Sequence, residues 1–296
     1  MSEPGVSHRA GFAALLGPPN AGKSTLLNRL LGEKLAIVTA KPQTTRSRIL
    51  GIVTRPGSQI LLLDTPGLHA ATRPLSARMN ESVAEVAREC DVGVLVVDAC
   101  RGWEPSHDVL LATLRARGIP VVVAWNKLDA AGAETKDPVL PAAAGEACVV
   151  RVSGHTGAGI GALLAAIETR LPESPPLYPE DELTDRPLRW LCAELIREAA
   201  FEQLDAEIPY GLAVEVLRFD ESRPDGVALE ANLLVARESQ KRIVVGAGGR
   251  MVKAIGMRAR KQIERLVGRR AHLRLFVKVD PRWSQSPRRM DELGYR

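Results

Sequence analysis

The sequence predicts an α/β protein in which a mostly parallel sheet with flanking helices is followed by a smaller α+β unit. Three observations lead to this class. Up to about residue 171, short apolar runs alternate with segments whose leucines and valines recur at helical spacing, which indicates strands covered by helices on both faces. A proline-rich, acidic stretch at 172–187 then breaks the pattern. Beyond it the predicted elements follow a different order, helix-strand-strand-helix-helix-strand.

The length of 296 residues favours two domains rather than one. The apolar fraction of 45% and the charged fraction of 25% are typical of a globular protein. The N-terminus resembles no secretion signal and no apolar run is long enough for a membrane span, so we expect a cytoplasmic protein. Four separated cysteines without a C-x-x-C pair argue against a structural zinc site and a disulfide framework. We expect a flexible N-terminus at 1–10, domains at 11–171 and 188–281, a linker at 172–187 and a tail at 282–296.

The basic residues are concentrated near the C-terminal end. Residues 237–289 hold sixteen lysines and arginines against three acidic residues, whereas the whole chain has a net charge of only +5. Such a basic end usually meets a nucleic acid or an anionic surface, although a solvated basic face would also account for it.

A phosphate-binding loop is predicted directly after the first apolar run, residues 12–16. Residues 17–25 read G-x-x-x-x-G-K-S-T, and leucines at helical spacing follow them. The two glycines let backbone N–H groups point inward, the lysine would reach the β- and γ-phosphates, and the serine hydroxyl would bind Mg²⁺. The predicted contacts to nucleotide in this loop come from Gly17, Pro18, Asn20, Ala21, Gly22, Lys23, Ser24 and Thr25.

After the first helix, residues 34–48 offer few apolar anchors and predict a mobile loop that contains Thr44 and Thr45. Apolar runs at 49–54 and 60–63 flank a turn signal and predict an antiparallel hairpin. The second run ends at Asp64-Thr65-Pro66-Gly67. An aspartate at this strand end would orient Mg²⁺, and the N–H of the glycine would donate to the γ-phosphate.

Two further strands are predicted at 92–97 and 120–125, and the second ends in the tetrad N-K-L-D, Asn126-Lys127-Leu128-Asp129. Its aspartate can accept hydrogen bonds from N1–H and the amine of guanine, which adenine cannot offer. The asparagine would brace the loop and the lysine stem would lie along the base. A short strand at 149–152, the base-contacting triplet Ser153-Gly154-His155 and a helix at 160–171 complete the domain. Gly154 stands where the usual motif has alanine, and we expect its N–H to contact guanine O6.

The residue that positions the hydrolytic water is not evident. Ras-like enzymes have glutamine directly after D-x-x-G, whereas this chain has Leu68, and the nearby His69 is more simply a surface-loop histidine. Asn20 is similar to the asparagine that helps to hold potassium in several GTPases without that glutamine. We therefore predict slow, glutamine-independent, potassium-stimulated hydrolysis, in which the candidate catalytic residues are Asn20, Lys23, Thr44, Thr45 and Gly67.

The second domain is predicted as a helix at 188–204, strands at 212–219 and 227–236, a helix at 250–267 and a strand at 272–279. A G-x-x-G loop lies between two helices within this series and resembles the signature of a type II KH domain, which clamps about four unpaired nucleotides. Its variable pair carries no lysine or arginine, so phosphate contacts would come from backbone N–H groups and nearby cations. The predicted RNA contacts are Lys241, Arg242, Gly246, Ala247, Gly248, Gly249, Arg250 and Lys253.

These motifs, with the segment Q-T-T-R at 43–46, resemble the Era family of GTPases over almost the whole chain. The resemblance implies a P-loop GTPase followed by an α+β type II KH domain, with GTP or GDP and Mg²⁺ as ligands. Either Thr44 or Thr45 would close over the γ-phosphate and join Ser24 and Asp64 at Mg²⁺. The resemblance further implies a monomeric assembly factor that binds small-subunit (16S-type) rRNA near its 3′ end, promotes maturation of the 30S ribosomal subunit and contacts the inner membrane peripherally.

Two questions stay open at this point. A GTP-dependent adaptor, whose KH fold binds protein or a membrane surface, is the alternative function, and the intact G-x-x-G loop favours RNA. In the tail, Trp283 and Tyr295 would either stack on RNA or pack in the domain with an extra helix.

Overall fold

The computed structural model describes residues 8–39, 41, 44–67, 74–131, 140–145, 147–222 and 224–295. The chain forms two compact units. The first unit comprises Met1–Ala36 and Thr45–Asp185, and the second comprises Ile37–Thr44 and Arg186–Arg296. The short segment Ile37–Thr44 therefore belongs to the second unit, although both of its flanks in the sequence belong to the first.

The sheet of the first unit has six strands in the described part of the chain: β1 (Arg9–Leu16), β2 (Ile49–Arg55), β3 (Ser58–Asp64), β4 (Val92–Asp98), β5 (Val121–Asn126) and β6 (Cys148–Arg151). They lie in the order β2-β3-β1-β4-β5-β6. Strand β2 pairs antiparallel with β3, and the other neighbours pair parallel. The predicted hairpin and the predicted parallel sheet are both confirmed.

The helices around this sheet are α1 (Lys23–Leu31), α2 (Pro74–Glu89), α3 (Pro105–Arg115), α4 (Leu128–Ala131) and α5 (Ile160–Glu168), with a 3-10 turn at Ala142–Ala144. All seven residues of β4 are buried, which explains why no polar residue precedes Asp98 at its end. Strand β1 begins three residues before the predicted start, and α5 ends three residues before the predicted end. No helix in the described ranges is long and apolar enough to cross a bilayer.

The carboxyl ends of β1, β3 and β5 meet at one edge of the sheet, as parallel strands require. The phosphate loop follows β1, Asp64 ends β3 and Asn126 ends β5. This edge therefore brings the three predicted nucleotide motifs together.

The stretch after α5 lies along the first unit. The buried side chain of Gln59 accepts the N–H groups of Leu177 and Tyr178 at 2.7 and 2.9 Å. Further along, the N–H of Ile52 donates to the carbonyl of Leu183 at 2.9 Å. These bonds satisfy a buried amide and fix the course of the chain across the hairpin.

The second unit has a three-stranded sheet, again counting described residues, built from β7 (Ala213–Asp220), β8 (Gly226–Val235) and β9 (Arg270–Val279) in that order. Strand β8 pairs antiparallel with β7 and parallel with β9. The helices are α6 (Leu188–Gln203), α7 (Glu238–Val245), α8 (Arg250–Val267) and α9 (Pro287–Glu292), with 3-10 turns at Pro209–Gly211 and Ala247–Gly249. The predicted order helix-strand-strand-helix-helix-strand is confirmed.

The C-terminal tail packs in the second unit. Trp283 and Tyr295 are buried, and their ring centroids lie 5.9 Å apart. The indole N–H of Trp283 donates to the carbonyl of Gly211 at 3.2 Å. Arg289 of α9 is held by Glu215 at 2.5 Å and by Asp280 at 3.1 Å. The packing alternative is therefore correct for these two aromatic residues, since neither exposes a ring on which a base could stack.

Candidate functional site

Two glycines of the phosphate loop lie so close to neighbouring residues that a side chain would not fit. A Cβ on Gly17 would lie 2.6 Å from the carbonyl oxygen of Val96, and one on Gly22 would lie 2.4 Å from Nδ2 of Asn126. Gly22 also has a φ of 94°, and the exposed Asn20 has a φ of 63°. The glycines are thus required by space as well as by backbone conformation.

Lys23 lies at the centre of this loop. Its Nζ donates to the carbonyl oxygens of Gly17 and Pro18 at 3.0 and 2.9 Å, and only 6% of the residue is exposed. Burial lowers the pKa of the Lys23 ammonium to about 8, an effect that the charge of Asp64 partly offsets. The loop therefore holds a buried cation whose charge an incoming phosphate would balance.

Ser24, Thr45 and Asp64 form a cluster of oxygen ligands beside the loop. The hydroxyl of Ser24 donates to Oδ2 of Asp64 at 2.6 Å and lies 2.7 Å from the hydroxyl of Thr45, which is itself 3.3 Å from that carboxylate oxygen. Burial raises the pKa of Asp64 to about 6. Its other oxygen, Oδ1, is buried and has no hydrogen-bond partner among the described residues. A buried carboxylate oxygen without a partner, next to two hydroxyls, fits a hard cation such as Mg²⁺.

The structure separates the two candidate threonines. Thr45 lies with Ser24 and Asp64, whereas the hydroxyl of Thr44 bonds within the second unit, to Thr39 at 3.0 Å and to the carbonyl of Lys41 at 2.8 Å. The geometry therefore favours Thr45 as the Mg²⁺ ligand.

The remaining residues of the predicted phosphate site lie on the same loops. Thr65 is buried and donates to the carbonyl of Leu15 at 2.9 Å. A Cβ on Gly67 would lie 2.5 Å from the nitrogen of Pro19, so the D-T-P-G segment packs directly against the phosphate loop. The carbonyl of Ala21 accepts a hydrogen bond from Asn126, Thr25 lies in the first turn of α1, and Pro66 follows Thr65.

The asparagine of the N-K-L-D tetrad joins two loops. Its Nδ2 donates to the carbonyl of Ala21 at 2.9 Å, and its Oδ1 accepts the N–H of Gly154 at 3.0 Å. Asn126 is 1% exposed. The phosphate loop and the loop predicted to contact the base are therefore held together by one buried amide.

Asp129 accepts a hydrogen bond from a serine, and Lys127 donates one to an aspartate. Ser153 donates to Oδ1 of Asp129 at 2.5 Å, and this bond lowers the pKa of the Asp129 carboxyl. Lys127 Nζ lies 2.7 Å from Oδ2 of Asp98. Asp129 thus remains ionised, as an acceptor of the two guanine N–H groups must be.

The triplet 153–155 is tied to α1. Arg29 donates through Nε to the carbonyl of Gly154 at 3.2 Å and through its other nitrogen to the carbonyl of His155. A Cβ on Gly154 would lie 3.2 Å from the nitrogen of Leu26, a tight contact that favours glycine here. The N–H of Gly154, which we expected at guanine O6, is bonded to Asn126, so this base contact stays a prediction.

Two residues of the site were missed by the sequence analysis. Asp98 is 5% exposed, and besides Lys127 it accepts the N–H of Cys100 at 2.9 Å. Arg29 looked like an ordinary surface residue of a helix. Asp98 ends an apolar strand and pairs with Asn126, the residue before Lys127, and this position was the signal that could have identified it. Leu68, His69 and Gln43, on which the hydrolysis argument and the Q-T-T-R segment depend, lie outside the described residues.

The G-x-x-G loop of the second unit has an unusual backbone. Gly246, Gly248 and Gly249 have φ values of 70°, 61° and 77°. A Cβ on Gly246 would lie 2.7 Å from Cβ of Met251, whereas the space around Gly248 and Gly249 is open. Arg250 donates through Nε to the carbonyl of the exposed Ala247 at 3.2 Å. The loop is therefore preformed, and its outer side is accessible.

Cations and an apolar groove lie beside this loop. Arg242, Arg250 and Lys253 are exposed, and Lys241 lies 3.7 Å from Glu238. The groove runs between α8 and β9 and is lined by Val252, Lys253, Gly256, Met257, Arg260, Leu273 and Leu275. An apolar floor with a cationic rim can take unstacked bases while the loop contacts their phosphates.

The sequence matches known families in both units. The model of the "50S ribosome-binding GTPase" family matches residues 12–127, and the KH domain model matches residues 207–284. GTPase Era of Geotalea daltonii is 41% identical over 290 residues, with 97% of each chain covered. GTPase Era of Stenotrophomonas maltophilia is 41% identical over 304 residues, with 100% of each chain covered.

Solved structures give the same result. A variant of Aquifex aeolicus Era bound to GDP and AlF₄⁻ superposes with a TM-score of 0.91 at 36% identity, covering 97% of this chain and 99% of that one. Era in complex with MgGDPNP and nucleotides 1506–1542 of 16S ribosomal RNA superposes with a TM-score of 0.88 at 36% identity and the same coverage. The predicted fold class, a P-loop GTPase followed by a KH domain, is confirmed.

Proposed function

Because this chain belongs to the Era family of GTPases, we propose that it binds and hydrolyses GTP and that its second unit binds small-subunit ribosomal RNA near the 3′ end. The observation that carries the proposal is the match, over 97% of this chain, to an Era structure that contains both MgGDPNP and 16S rRNA nucleotides. This chain has the corresponding parts, a buried cationic phosphate loop and a preformed G-x-x-G loop.

The phosphates would lie on the backbone N–H groups of the loop and the N-terminus of α1, with Lys23 as their buried counter-charge. Mg²⁺ fits Ser24, Thr45 and Oδ1 of Asp64, the oxygen that has no partner within the described ranges. When bound, Mg²⁺ would neutralise charge on the β- and γ-phosphates. The N–H of Gly67 would donate to the γ-phosphate.

The base would be selected by Asp129, which Ser153 keeps ionised and oriented. Lys127, held by Asp98, would lie along the base plane. Adenine would leave the carboxylate facing an acceptor, which is costly in a restricted site. GTP and GDP are therefore the expected ligands, and ATP is not.

Hydrolysis would proceed without a glutamine that positions water. Asn20, exposed in the phosphate loop, would help to hold a potassium ion that supplements Lys23 against developing negative charge. Turnover would be slow and faster in potassium than in sodium.

The RNA would lie with its backbone on the loop at 246–249 and with its bases in the groove between α8 and β9. Arg250, Lys253 and Arg242 would supply the cations that the loop itself lacks. Through this contact the protein would promote maturation of the 30S subunit as a monomer in the cytoplasm. Peripheral contact with the inner membrane, implied by the resemblance, is proposed for the same basic surface.

The test is a filter-binding assay with a single-stranded oligonucleotide of the rRNA 3′ end and GTP-loaded protein. Gly249→Asp places a negative charge in the loop, where a Cβ meets open space. The left-handed φ of 77° costs about 1–2 kcal/mol, which the fold should tolerate, while RNA affinity falls at least about tenfold. Gly268→Asp is the matched control, because Gly268 has a similar φ of 68°, equally open surroundings and a place at the other end of α8.

Equal RNA affinity in the two variants would contradict RNA binding through this loop. If the wild-type protein binds no RNA in its GTP-loaded form, the alternative function as a GTP-dependent adaptor takes its place. That reading would then be tested with vesicles containing anionic lipid, which the basic face of the second unit should bind.

A further inference from the structure

Two described residues of the segment Ile37–Thr44, Val38 and Lys41, bond the helix α6. The N–H of Val38 donates to Oε1 of Glu198 at 2.9 Å. Lys41 Nζ donates to the carbonyl oxygens of Phe201, at 2.8 Å, and of Leu204, at the C-terminal end of the helix. A cation at that end satisfies carbonyls that have no partner within the helix and complements the helix dipole. The segment is therefore anchored to α6 at two points.

The same carboxylate reaches the helix that begins at the G-x-x-G loop. The second oxygen of Glu198, Oε2, accepts Nε2 of Gln262 in α8 at 2.7 Å. Glu198 is 1% exposed, so neither bond is replaced by water at low cost. One buried side chain thus bonds the segment on one side and α8 on the other.

Both ends of this connection lead to a functional site. The segment Ile37–Thr44 ends at the residue before Thr45, whose hydroxyl lies at the oxygen cluster of Ser24 and Asp64. Helix α8 begins at Arg250, directly after the loop, and continues without interruption to Val267. An α-helix transmits a displacement along its length because its backbone bonds are continuous.

We propose that Glu198 couples the nucleotide site to the RNA-binding loop, by joining the segment before Thr45 to α8. The proposal rests on the proposed function, since it concerns how GTP would control RNA binding. When Mg²⁺ and GTP bind at Thr45, the position of the segment bonded to Glu198 would change. Through its bond to Gln262, Glu198 would transmit this change to α8. By linkage, RNA on the loop would change nucleotide affinity by the same factor.

Two variants break the connection. Glu198→Ala removes both bonds. Gln262→Met removes only the bond of Glu198 to α8 and leaves the bond to the segment in place. Because Gln262 is half-buried, we expect this variant to fold even if Glu198→Ala does not, so the test can still be made. Glu202→Ala is the matched control, since Glu202 lies one turn further along α6 and pairs with Arg258 of α8 at 2.7 Å. It has no bond to the described residues of the segment, 37–39, 41 and 44.

The primary measurement is amide hydrogen exchange across residues 246–262 with GDP or a non-hydrolysable GTP analogue, without RNA. We expect a nucleotide-dependent difference in the wild type and in Glu202→Ala, and a difference at least about fivefold smaller in Glu198→Ala and Gln262→Met. Nucleotide affinity itself should remain within about twofold of the wild type in all three.

Three results would overturn the proposal: no nucleotide-dependent difference in the wild type, an unchanged difference in Gln262→Met, or an equal loss in Glu202→Ala. Because this readout contains no RNA, it is independent of the filter-binding test. A wild-type protein that binds no RNA would refute the proposed function, while the exchange data would still decide whether Glu198 joins the segment to α8.

Discussion

Asp98 offers the sharpest test of the nucleotide site, because its carboxylate is the group that holds Lys127. The substitution Asp98→Asn keeps the shape of the side chain. Its amide oxygen can still accept the N–H of Cys100, which lies 2.9 Å from the aspartate oxygen. Its amide nitrogen, however, cannot accept a hydrogen bond from the Lys127 ammonium, which lies 2.7 Å from Oδ2 of the aspartate.

The size of the effect follows from the exposure of the pair. A hydrogen bond between charged groups contributes about 1.5–3 kcal/mol when it is protected from water. The side chain of Asp98 is 7% exposed, but that of Lys127 is 33% exposed, so solvent screening reduces the contribution to about 1–1.5 kcal/mol. The Kd for GDP should therefore rise about 5- to 13-fold. Turnover at saturating GTP should change little, since the lysine stem is predicted at the base and not at the γ-phosphate.

The assay is a fluorescence titration with a GDP analogue labelled on the ribose, together with a thermal melt to establish that the variant is folded. Glu168→Gln serves as the control, because Glu168 forms a comparable ion pair with Arg55 at 2.8 Å outside the nucleotide loops. A Kd within twofold of the wild type for Asp98→Asn, or an equal rise for Glu168→Gln, would refute the role of Asp98 in orienting Lys127.

Three further outcomes can be measured on the same protein. With the pKa of Asp64 at about 6 and that of Lys23 at about 8, the affinity for Mg·GDP should be highest between pH 6 and 8. It should fall below pH 6, where Asp64 takes up a proton, and above pH 8, where Lys23 loses one; in Asp64→Asn the loss on the acid side should disappear. Turnover should be faster in potassium than in sodium, and the difference should vanish in Asn20→Ala; equal rates in the two salts for the wild type would count against the cation site. Gly246→Ala should lower the free energy of unfolding by about 2–3 kcal/mol in a denaturant melt, because the new methyl meets Met251 at a left-handed φ.

Much of the fold follows from local patterns in the sequence. The runs that became β4 and β5 are apolar throughout, a pattern that only strands covered on both faces can use. The three nucleotide motifs stand at strand ends, so the topology of a parallel sheet was enough to bring Lys23, Asp64 and Asn126 to one edge. The resemblance of the G-x-x-G segment to a KH loop predicted the second unit in the same way.

What could not be predicted depends on contacts between distant residues. Thr44 and Thr45 are neighbours of identical chemistry, and their side chains bond in different units. Nothing local indicates that Lys41 would cap a helix about 160 residues away in the sequence. A tryptophan can stack on a base or pack in a core, and the burial of Trp283 and its bond to Gly211 decide between the two.

The buried amide of Asn126 has a consequence for how tightly a whole nucleotide binds compared with its parts. Because Asn126 bonds both Ala21 and Gly154, the two halves of the pocket are set at a fixed separation before any ligand arrives. A guanosine fragment and a pyrophosphate fragment would each lose translational freedom separately, whereas the intact molecule loses it once and finds the second half at high effective concentration. The chelate advantage of the intact nucleotide thus depends on one side chain. A longer or misaligned amide would lose this advantage even if every direct contact to base and phosphate survived.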